Sequence, residues 1–290
     1  MTVPVLLVLV HDASGVVSVE RRDPRAPQVS ILDLGVTRGD GIFESIGVVD
    51  GRPQALEPHL TRLARSAAML DLPEPDRDVW RAAVLQSIDL AGDETAGREL
   101  LAKLVLTRGI EGGDAPTGWV YLYDAGAYDS EREGGIRVVT LDRGYRSDVA
   151  QTSPWLLAGA KTLSYAVNKA ALREAARRGA DDVVFVSTDG IVLEGPNSSV
   201  IALIDGVHVT TPPELGVLEG TTQHAFFADV EAHGGKTAYR PLTVDELRSA
   251  DALWLASSGR QIAPVTSLDG VDVAQDARLT GPALASLLAR

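Results

Sequence analysis

Asp124-Ala125-Gly126-Ala127-Tyr128-Asp129-Ser130-Glu131-Arg132-Glu133-Gly134-Gly135 is the stretch on which the architecture turns. It is polar and glycine-bearing, and it lies between two apolar runs, 118–123 and 136–141, that read as strands. Such a composition marks a connection between strands that need not share a sheet. Residues 124–135 are therefore expected to be an interdomain linker. They divide the chain into a small N-terminal α/β domain, residues 1–123, and a large C-terminal domain, residues 136–290, which is expected to carry Lys161. The fold class is mixed α+β.

Upstream of the linker, 3–10 and 41–49 read as strands, the second closed by the turn Asp50-Gly51-Arg52-Pro53. A helix follows from about Pro58, with Leu60, Leu63, Ala67 and Leu70 on one face, and a second covers 76–91. Strands at 100–107 and 118–123 flank the glycine-rich segment 109–117. Downstream, a strand at 136–141 leads through an irregular stretch to a helix over 165–178, ending at Gly179. Residues 182–187 and 191–194 form a hairpin around Thr188-Asp189-Gly190, and 200–204 and 207–210 flank the turn Asp205-Gly206. A helix from Thr221 or Thr222 to about His233, a strand at 252–256, the segment 257–265 and a short final helix complete the chain.

The bulk properties narrow the function. Of 290 residues, 45% are apolar, ample for a buried core. A net charge of −13 repels phosphate backbones, and no basic stripe offsets it, so nucleic acid is not an expected partner. The absence of cysteine excludes disulfides, thiolate catalysis and cysteine-ligated metals, and fits a reducing cytosol. The apolar N-terminus lacks the basic opening and small-residue cleavage site of a secretory leader, and the run ends at His11-Asp12. It is also far shorter than the ~20 residues of a membrane helix. A cytoplasmic protein with no membrane partner is expected. The five histidines, His11, His59, His208, His224 and His233, show no ligand spacing, so no metal is expected.

Three features carry chemistry. Gly220-Thr221-Thr222 opens a helix, where free backbone N–H groups and two hydroxyls suit an anion; plain threonine capping is the alternative. Lys161 follows Ala158-Gly159-Ala160, and small neighbours favour a desolvated, nucleophilic amine over one that snorkels to water only if the site is buried. Glu194, at a strand end, is either a partner for a cation or a solvated terminus. Together they supply an amine, an anion cradle and a carboxylate, the groups that pyridoxal phosphate requires.

With those residues in view, the chain resembles the class IV aminotransferases of pyridoxal-phosphate fold type IV. The likeness is to the D-amino-acid transaminase and aminodeoxychorismate lyase branches, and it runs from about Asp33 to Val265. Arg38-Gly39-Asp40-Gly41-Ile42-Phe43-Glu44 looks like the family's N-terminal strand signature. His59-Leu60-Thr61-Arg62-Leu63 matches the segment whose arginine binds the cofactor phosphate, a role that falls to Arg62 and suits a bidentate guanidinium. Lys161-Thr162-Leu163-Ser164-Tyr165 stands at the position of the cofactor-bearing, catalytic lysine. The resemblance sets Tyr165 beside the cofactor's phenolic oxygen, at a spacing one residue different from the branched-chain enzymes.

Glu194 falls where the family places the partner of the pyridine nitrogen. Leu218-Glu219-Gly220-Thr221-Thr222-Gln223 resembles the phosphate turn, with Thr221 and Thr222 as donors. Ser257-Ser258-Gly259-Arg260 resembles the last phosphate contact, through Ser258. Phe43 and Arg108 are the residues the resemblance offers to substrate, although Arg108 in a surface ion pair is an equal alternative. Ile110 replaces the histidine of the D-amino-acid enzymes, and Glu111-Gly112-Gly113-Asp114 the lyases' glycine-arginine-glycine-tyrosine run.

The resemblance implies a pyridoxal 5'-phosphate transaminase acting between a D- or (R)-configured amino acid or amine and a 2-keto acid, and a homodimer. Aminodeoxychorismate lyase, releasing pyruvate and p-aminobenzoate, is the second reading; Glu44, where many lyases carry threonine, leans against it. A non-catalytic binding protein on the same fold is the third.

Overall fold

The computed structural model describes residues 3–11 and 17–289; of the expected strand break at His11-Asp12, Asp12 lies outside the described residues. The chain separates into two units. Unit 1 comprises residues 1–126 with 160–165, and unit 2 comprises 127–159 with 166–290.

In unit 1 the strands are β1 (Val5–His11), β2 (Val17–Arg22), β3 (Gly41–Val49), β4 (Arg52–Pro53), β5 (Glu99–Thr107) and β6 (Thr117–Asp124). They form one antiparallel sheet in the order β2-β1-β6-β5-β3-β4. Its helices are α1 (Leu34–Thr37), α2 (Leu56–Met69) and α3 (Arg77–Ala91). Alternation explains the packing: Ile42, Ile46 and Val48, with Leu100, Ala102 and Leu104, are all buried. They form the side of the sheet covered by α2 and α3, whose Leu60, Leu63, Trp80 and Val84 complete the core. The Asp76 side chain caps α3 by accepting from the amides of Asp78 and Val79.

Unit 2 holds α4 (Asp129–Gly134), β7 (Ile136–Asp142), α5 (Val149–Thr152), α6 (Ala166–Arg177), β8 (Asp182–Val186), β9 (Ser199–Ile204) and β10 (Val207–Thr210). It continues with α7 (Thr221–Ala232), β11 (Lys236–Tyr239), α8 (Val244–Arg248), β12 (Ala252–Ser257), β13 (Gln261–Leu268), β14 (Val271–Asp272) and α9 (Ala277–Leu288). The sheet order is β11-β10-β9-β12-β13-β7-β8, with β14 paired to β13. Pairing is parallel at β10/β11, β13/β7 and β7/β8, and antiparallel elsewhere. Trp254, Phe226 and Ile201 anchor the core beneath α7 and α9. No helix among the described residues is long and apolar enough to cross a membrane.

Three expectations about organisation change. Part of the expected linker is helical and structural: in α4, Arg132 donates from Nε to the Arg260 carbonyl (2.8 Å) and from Nη2 to the Gly259 carbonyl (3.1 Å). A glycine-rich composition hid a helix held by contacts more than a hundred residues away. The large domain, moreover, does not hold the lysine. Residues 160–165 belong to unit 1, because their backbone pairs with the start of β3. The expected hairpin partner 191–194 forms isolated bridges rather than a full strand, with hydrogen bonds from Phe185 to the Glu194 carbonyl and from Leu193 to the Phe185 carbonyl.

Candidate active site

In unit 1 the site is built on β3, whose alternation sends Phe43 and Glu44 to opposite faces. Glu44 points under α2 and is fully buried (0% exposed), with His59 at 1% and Arg62 at 6%. His59 and Arg62 are three positions apart on one helix and so share a face. Arg62 donates to the Glu44 carboxylate from Nε and from Nη2, each at 2.7 Å. His59 Nδ1 lies 2.7 Å from Oε2. A carboxylate here can only accept, so Nδ1 carries the proton in this contact. Burial alone raises the Glu44 carboxyl, but the Arg62 guanidinium, by charge and hydrogen bond, outweighs it with help from His59. The group is held well below the usual carboxylate range. Burial pushes the His59 imidazole below its ordinary value, against the pull of Glu44 and aided by Arg62 and Lys161.

Lys161 is positioned through its backbone. Its amide donates to Ser66 Oγ of α2 at 3.2 Å, and its carbonyl accepts from the Phe43 amide at 3.0 Å. The Leu163 amide donates to the Gly41 carbonyl at 2.8 Å. A side chain at residue 41 would meet this strip: a Cβ on Gly41 lies 2.8 Å from Leu163 Cδ1 and 2.8 Å from the Leu106 carbonyl. The half-buried Lys161 ammonium sits 4.6 Å from the centroid of the Phe43 ring. Tyr165 meets the same ring edge-on, centroids 5.3 Å apart. The structure thus brings Phe43, Lys161 and Tyr165 together, and Ser66, which accepts from the Lys161 amide, lies one turn beyond Arg62 on α2.

Arg62 and Arg108 both engage carboxylates of unit 1, which for Arg108 is the ion-pair alternative the sequence left open. The bidentate Nε–Nη2 edge of Arg62, expected to face a phosphate, is taken by Glu44. Arg108 donates to Asp40 (Nε 2.6 Å, Nη2 3.2 Å), to the Leu70 carbonyl (2.6 Å) and to the Asp71 carbonyl (3.1 Å). Those contacts clamp the C-terminal end of α2, where unsatisfied carbonyls attract a cation, and give Arg108 a structural post.

In unit 2, Glu194 Oε2 accepts from the Leu218 amide at 3.0 Å. Thr221 and Thr222 form the first turn of α7, whose N-cap, Gly220, supplies no side-chain acceptor. A Cβ at Gly220 would fall 2.2 Å from Ser199 Oγ, so the turn needs glycine for close approach. Glu194, Leu218 and Gly220 border one hollow that is open to solvent. Ser258 lies in the turn between β12 and β13, half-buried. That turn is braced twice, by Arg132 and by Arg260, which pairs with Asp182 (2.8 Å) and Glu131 (2.5 Å). Burial alone lowers the Arg260 guanidinium, and its two carboxylate partners more than compensate, raising it above its ordinary value.

Sequence reading passed over the pairing of Glu44 with Arg62. The signal was there: Glu44 occupies the inward register of Ile42, Ile46 and Val48, and a carboxylate inside a core requires a cation on the facing helix. Arg132, in the stretch expected to be a linker, was passed over too, and its contacts are taken up below.

Unit 1 presents an amine braced on a strand, and unit 2 presents a carboxylate that accepts from a backbone amide and a helix start without a side-chain cap; these are the kinds of group an anionic aldehyde cofactor requires. The comparisons agree with that class. Residues 41–268 match the family model for amino-transferase class IV, and the chain belongs to that family. A bifunctional aminodeoxychorismate lyase / D-amino acid transaminase of Mycobacterium tuberculosis is 46% identical over 255 residues, covering 85% of this chain and 88% of that protein. A fold IV transaminase from Curtobacterium pusillum superposes with a TM-score of 0.94 at 57% identity, covering 99% of each chain. An aminotransferase from Mycobacterium tuberculosis in its PLP-bound form gives 0.90 at 41% identity, covering 98% of this chain and 99% of that one. The family's enzymes use pyridoxal phosphate, and this chain is an enzyme of that kind, with the two-domain α+β fold of type IV.

Proposed function

We propose that this chain is a transaminase that moves an amino group between a D-configured amino acid and a 2-keto acid. The observation that carries the reading is the Lys161 amine, half-buried and fixed above Phe43 by backbone bonds to β3 and α2.

Bound pyridoxal phosphate supplies the electron sink for the bond broken at the substrate's Cα. The chain's residues do the rest. Lys161 Nζ would hold the cofactor, and the same amine would serve as the base that moves the proton at the substrate's Cα. Glu194 would partner the pyridine nitrogen, its carboxylate oriented by the hydrogen bond it accepts from the Leu218 amide. The amides of Thr221 and Thr222 and the hydroxyl of Ser258 take the phosphate, favoured by the positive end of α7. Arg62, oriented by Glu44 and His59, adds positive charge to the cofactor's surroundings without offering its Nε–Nη2 edge to the phosphate. Tyr165 orients the ring plane by packing against Phe43.

The Mycobacterium tuberculosis relative is named for two activities, which supports a second reading: elimination of pyruvate from aminodeoxychorismate by the same lysine. The family resemblance supports a homodimer, to be measured by light scattering, and the absence of cysteine supports a cytosolic setting.

The deciding experiment follows the visible band of the loaded protein. Bleaching by D-alanine with release of pyruvate supports the transaminase. Pyruvate and p-aminobenzoate from aminodeoxychorismate, with little bleaching by D-alanine, would shift the assignment to the lyase. Failure to develop any visible band with pyridoxal phosphate would overturn both.

The phosphate turn gives a separate prediction. Gly220→Ala forces its methyl onto Ser199 Oγ and is expected to weaken cofactor retention about tenfold, the loss of roughly one charge-assisted hydrogen bond. Adding Ser199→Ala removes the clashing oxygen and is expected to recover most of it, as read by fluorescence titration with the cofactor.

A further inference from the structure

Residues 128–132 direct side chains at a single hairpin loop. Tyr128, the N-cap of α4, and Glu131 and Arg132 within it are spaced i, i+3, i+4 and so share a face. That face meets Ser258-Gly259-Arg260, the loop closed by the pairing of Ser257 with Gln261 between β12 and β13. Arg132, its side chain 4% exposed, donates from Nε to the Arg260 carbonyl at 2.8 Å and from Nη2 to the Gly259 carbonyl at 3.1 Å. Glu131 pairs with the Arg260 guanidinium at 2.5 Å. The Tyr128 ring lies against the loop backbone: a Cβ at Gly259 would stand 3.0 Å from the phenolic oxygen. The remaining loop carbonyl, that of Ser258, accepts from Gln261 Nε2 at 2.9 Å.

A short hairpin loop forms on its own turn geometry and needs no such help. Here a guanidinium is buried, at a cost in desolvation, to hold two carbonyls. Gln261 also keeps a positive φ of 62°, which a residue with a side chain retains only where its surroundings enforce it. What the bracing secures is direction. A trans peptide points its N–H opposite to its C=O. With the Gly259 and Arg260 carbonyls tied to α4, the far side of the loop is left with N–H ends, which favour an anion where carbonyl lone pairs would repel it.

The loop begins at Ser258, to which the function proposed above gives the cofactor phosphate. We propose that Arg132 is a positioning residue for that phosphate: it fixes the loop with N–H ends rather than carbonyls toward the anion, and so sets how tightly the cofactor is retained without touching it. This rests on the cofactor reading above. A planar guanidinium suits the post because its fork spans two carbonyls in a fixed geometry, which an ammonium on a flexible stem does not.

The test measures binding to the whole apo chain by absorbance titration with pyridoxal phosphate and, in parallel, with pyridoxal, which has the aldehyde but no phosphate. Arg132→Met is expected to weaken pyridoxal phosphate about tenfold, the range of one charge-assisted hydrogen bond, and pyridoxal by less than about twofold. Arg132→Lys keeps the charge without the fork and is expected to lose about threefold for pyridoxal phosphate. It carries the same comparison if Arg132→Met does not fold. A merely structural role would weaken both ligands alike, so equal weakening, or pyridoxal phosphate affinity unchanged in both variants, would overturn the proposal. Full retention of pyridoxal phosphate by Ser258→Ala would remove the Ser258 contact alone, because the Arg132 comparison still reports whether the loop serves the phosphate. Turnover is not read, so a protein that proves to be a lyase leaves the comparison intact.

Discussion

Lys161→Ala is expected to lower turnover on the order of 10⁴-fold or more and to abolish the visible band of the loaded protein. The magnitude follows from two lost roles in one side chain. The amine is the covalent anchor of the cofactor, and it is also the base that takes the Cα proton; removal of a positioned base alone costs about 10²- to 10⁴-fold. The fold is expected to survive, because the contacts that seat residue 161 are made by its backbone: its amide to Ser66 Oγ, its carbonyl from the Phe43 amide. Circular dichroism and thermal melting should therefore match the wild type within about 0.5 kcal/mol. Added methylamine, supplying a free amine, is expected to restore a fraction of the proton transfer. A Lys161→Ala protein that still turned over at the wild-type rate would end the mechanism.

The second large effect belongs to stability. Glu44→Ala leaves the Arg62 cation buried without its partner, and breaking such a pair costs about 3–5 kcal/mol. Replacing the whole pair, as in Glu44→Leu with Arg62→Met, removes the charge with its counter-charge and is expected to recover most of that stability. It should not recover cofactor affinity, because the Arg62 charge is lost with the pair. Denaturant unfolding checks the first statement and cofactor titration the second.

The same cluster sets a direction for pH. Both His59 and Glu44 have folded-state pKa values below their ordinary ones, so the unfolded chain binds more protons as pH falls. Their contribution to stability is present in full above about 6.5, the ordinary histidine value. Protons taken up by unfolded His59 erode it first, and below about 4.3 those taken up by unfolded Glu44 erode it further. Unfolding free energy measured from pH 8 to pH 4 should fall steadily, and the fall should shrink in the Glu44→Leu, Arg62→Met protein. A flat profile in the wild type would contradict the assignment.

How far the sequence reaches is clearest element by element. The strand over 41–49 and the helices near 58–70 and 76–91 were legible because alternation and helical spacing are local properties, and β3, α2 and α3 follow them. The turn Asp50-Gly51 was legible for the same reason: both residues have positive φ, which aspartate and glycine tolerate. β11 was not legible. Its sequence, Lys236-Thr237-Ala238-Tyr239, has no apolar alternation, and it is a strand because β10 offers it a parallel edge. α8 is short, yet its capping box, Thr243 with Glu246, was a readable signal that went unread.

By itself the sequence determined the class of fold, the order of the motifs, and the kinds of group that a cofactor site requires: an amine at 161, a carboxylate at 194, and a helix start at 221. These depend on residue type and on spacing along one element. Only the tertiary structure decided that Lys161 pairs with β3, that Glu44 occupies the fork of Arg62, that Arg108 clamps α2, and that Arg132 braces the loop at Ser258. Each of these joins segments distant in sequence, and which donor reaches which acceptor is settled by strand register and helix docking. A local pattern can demand that a buried charge be satisfied, but it cannot name the partner.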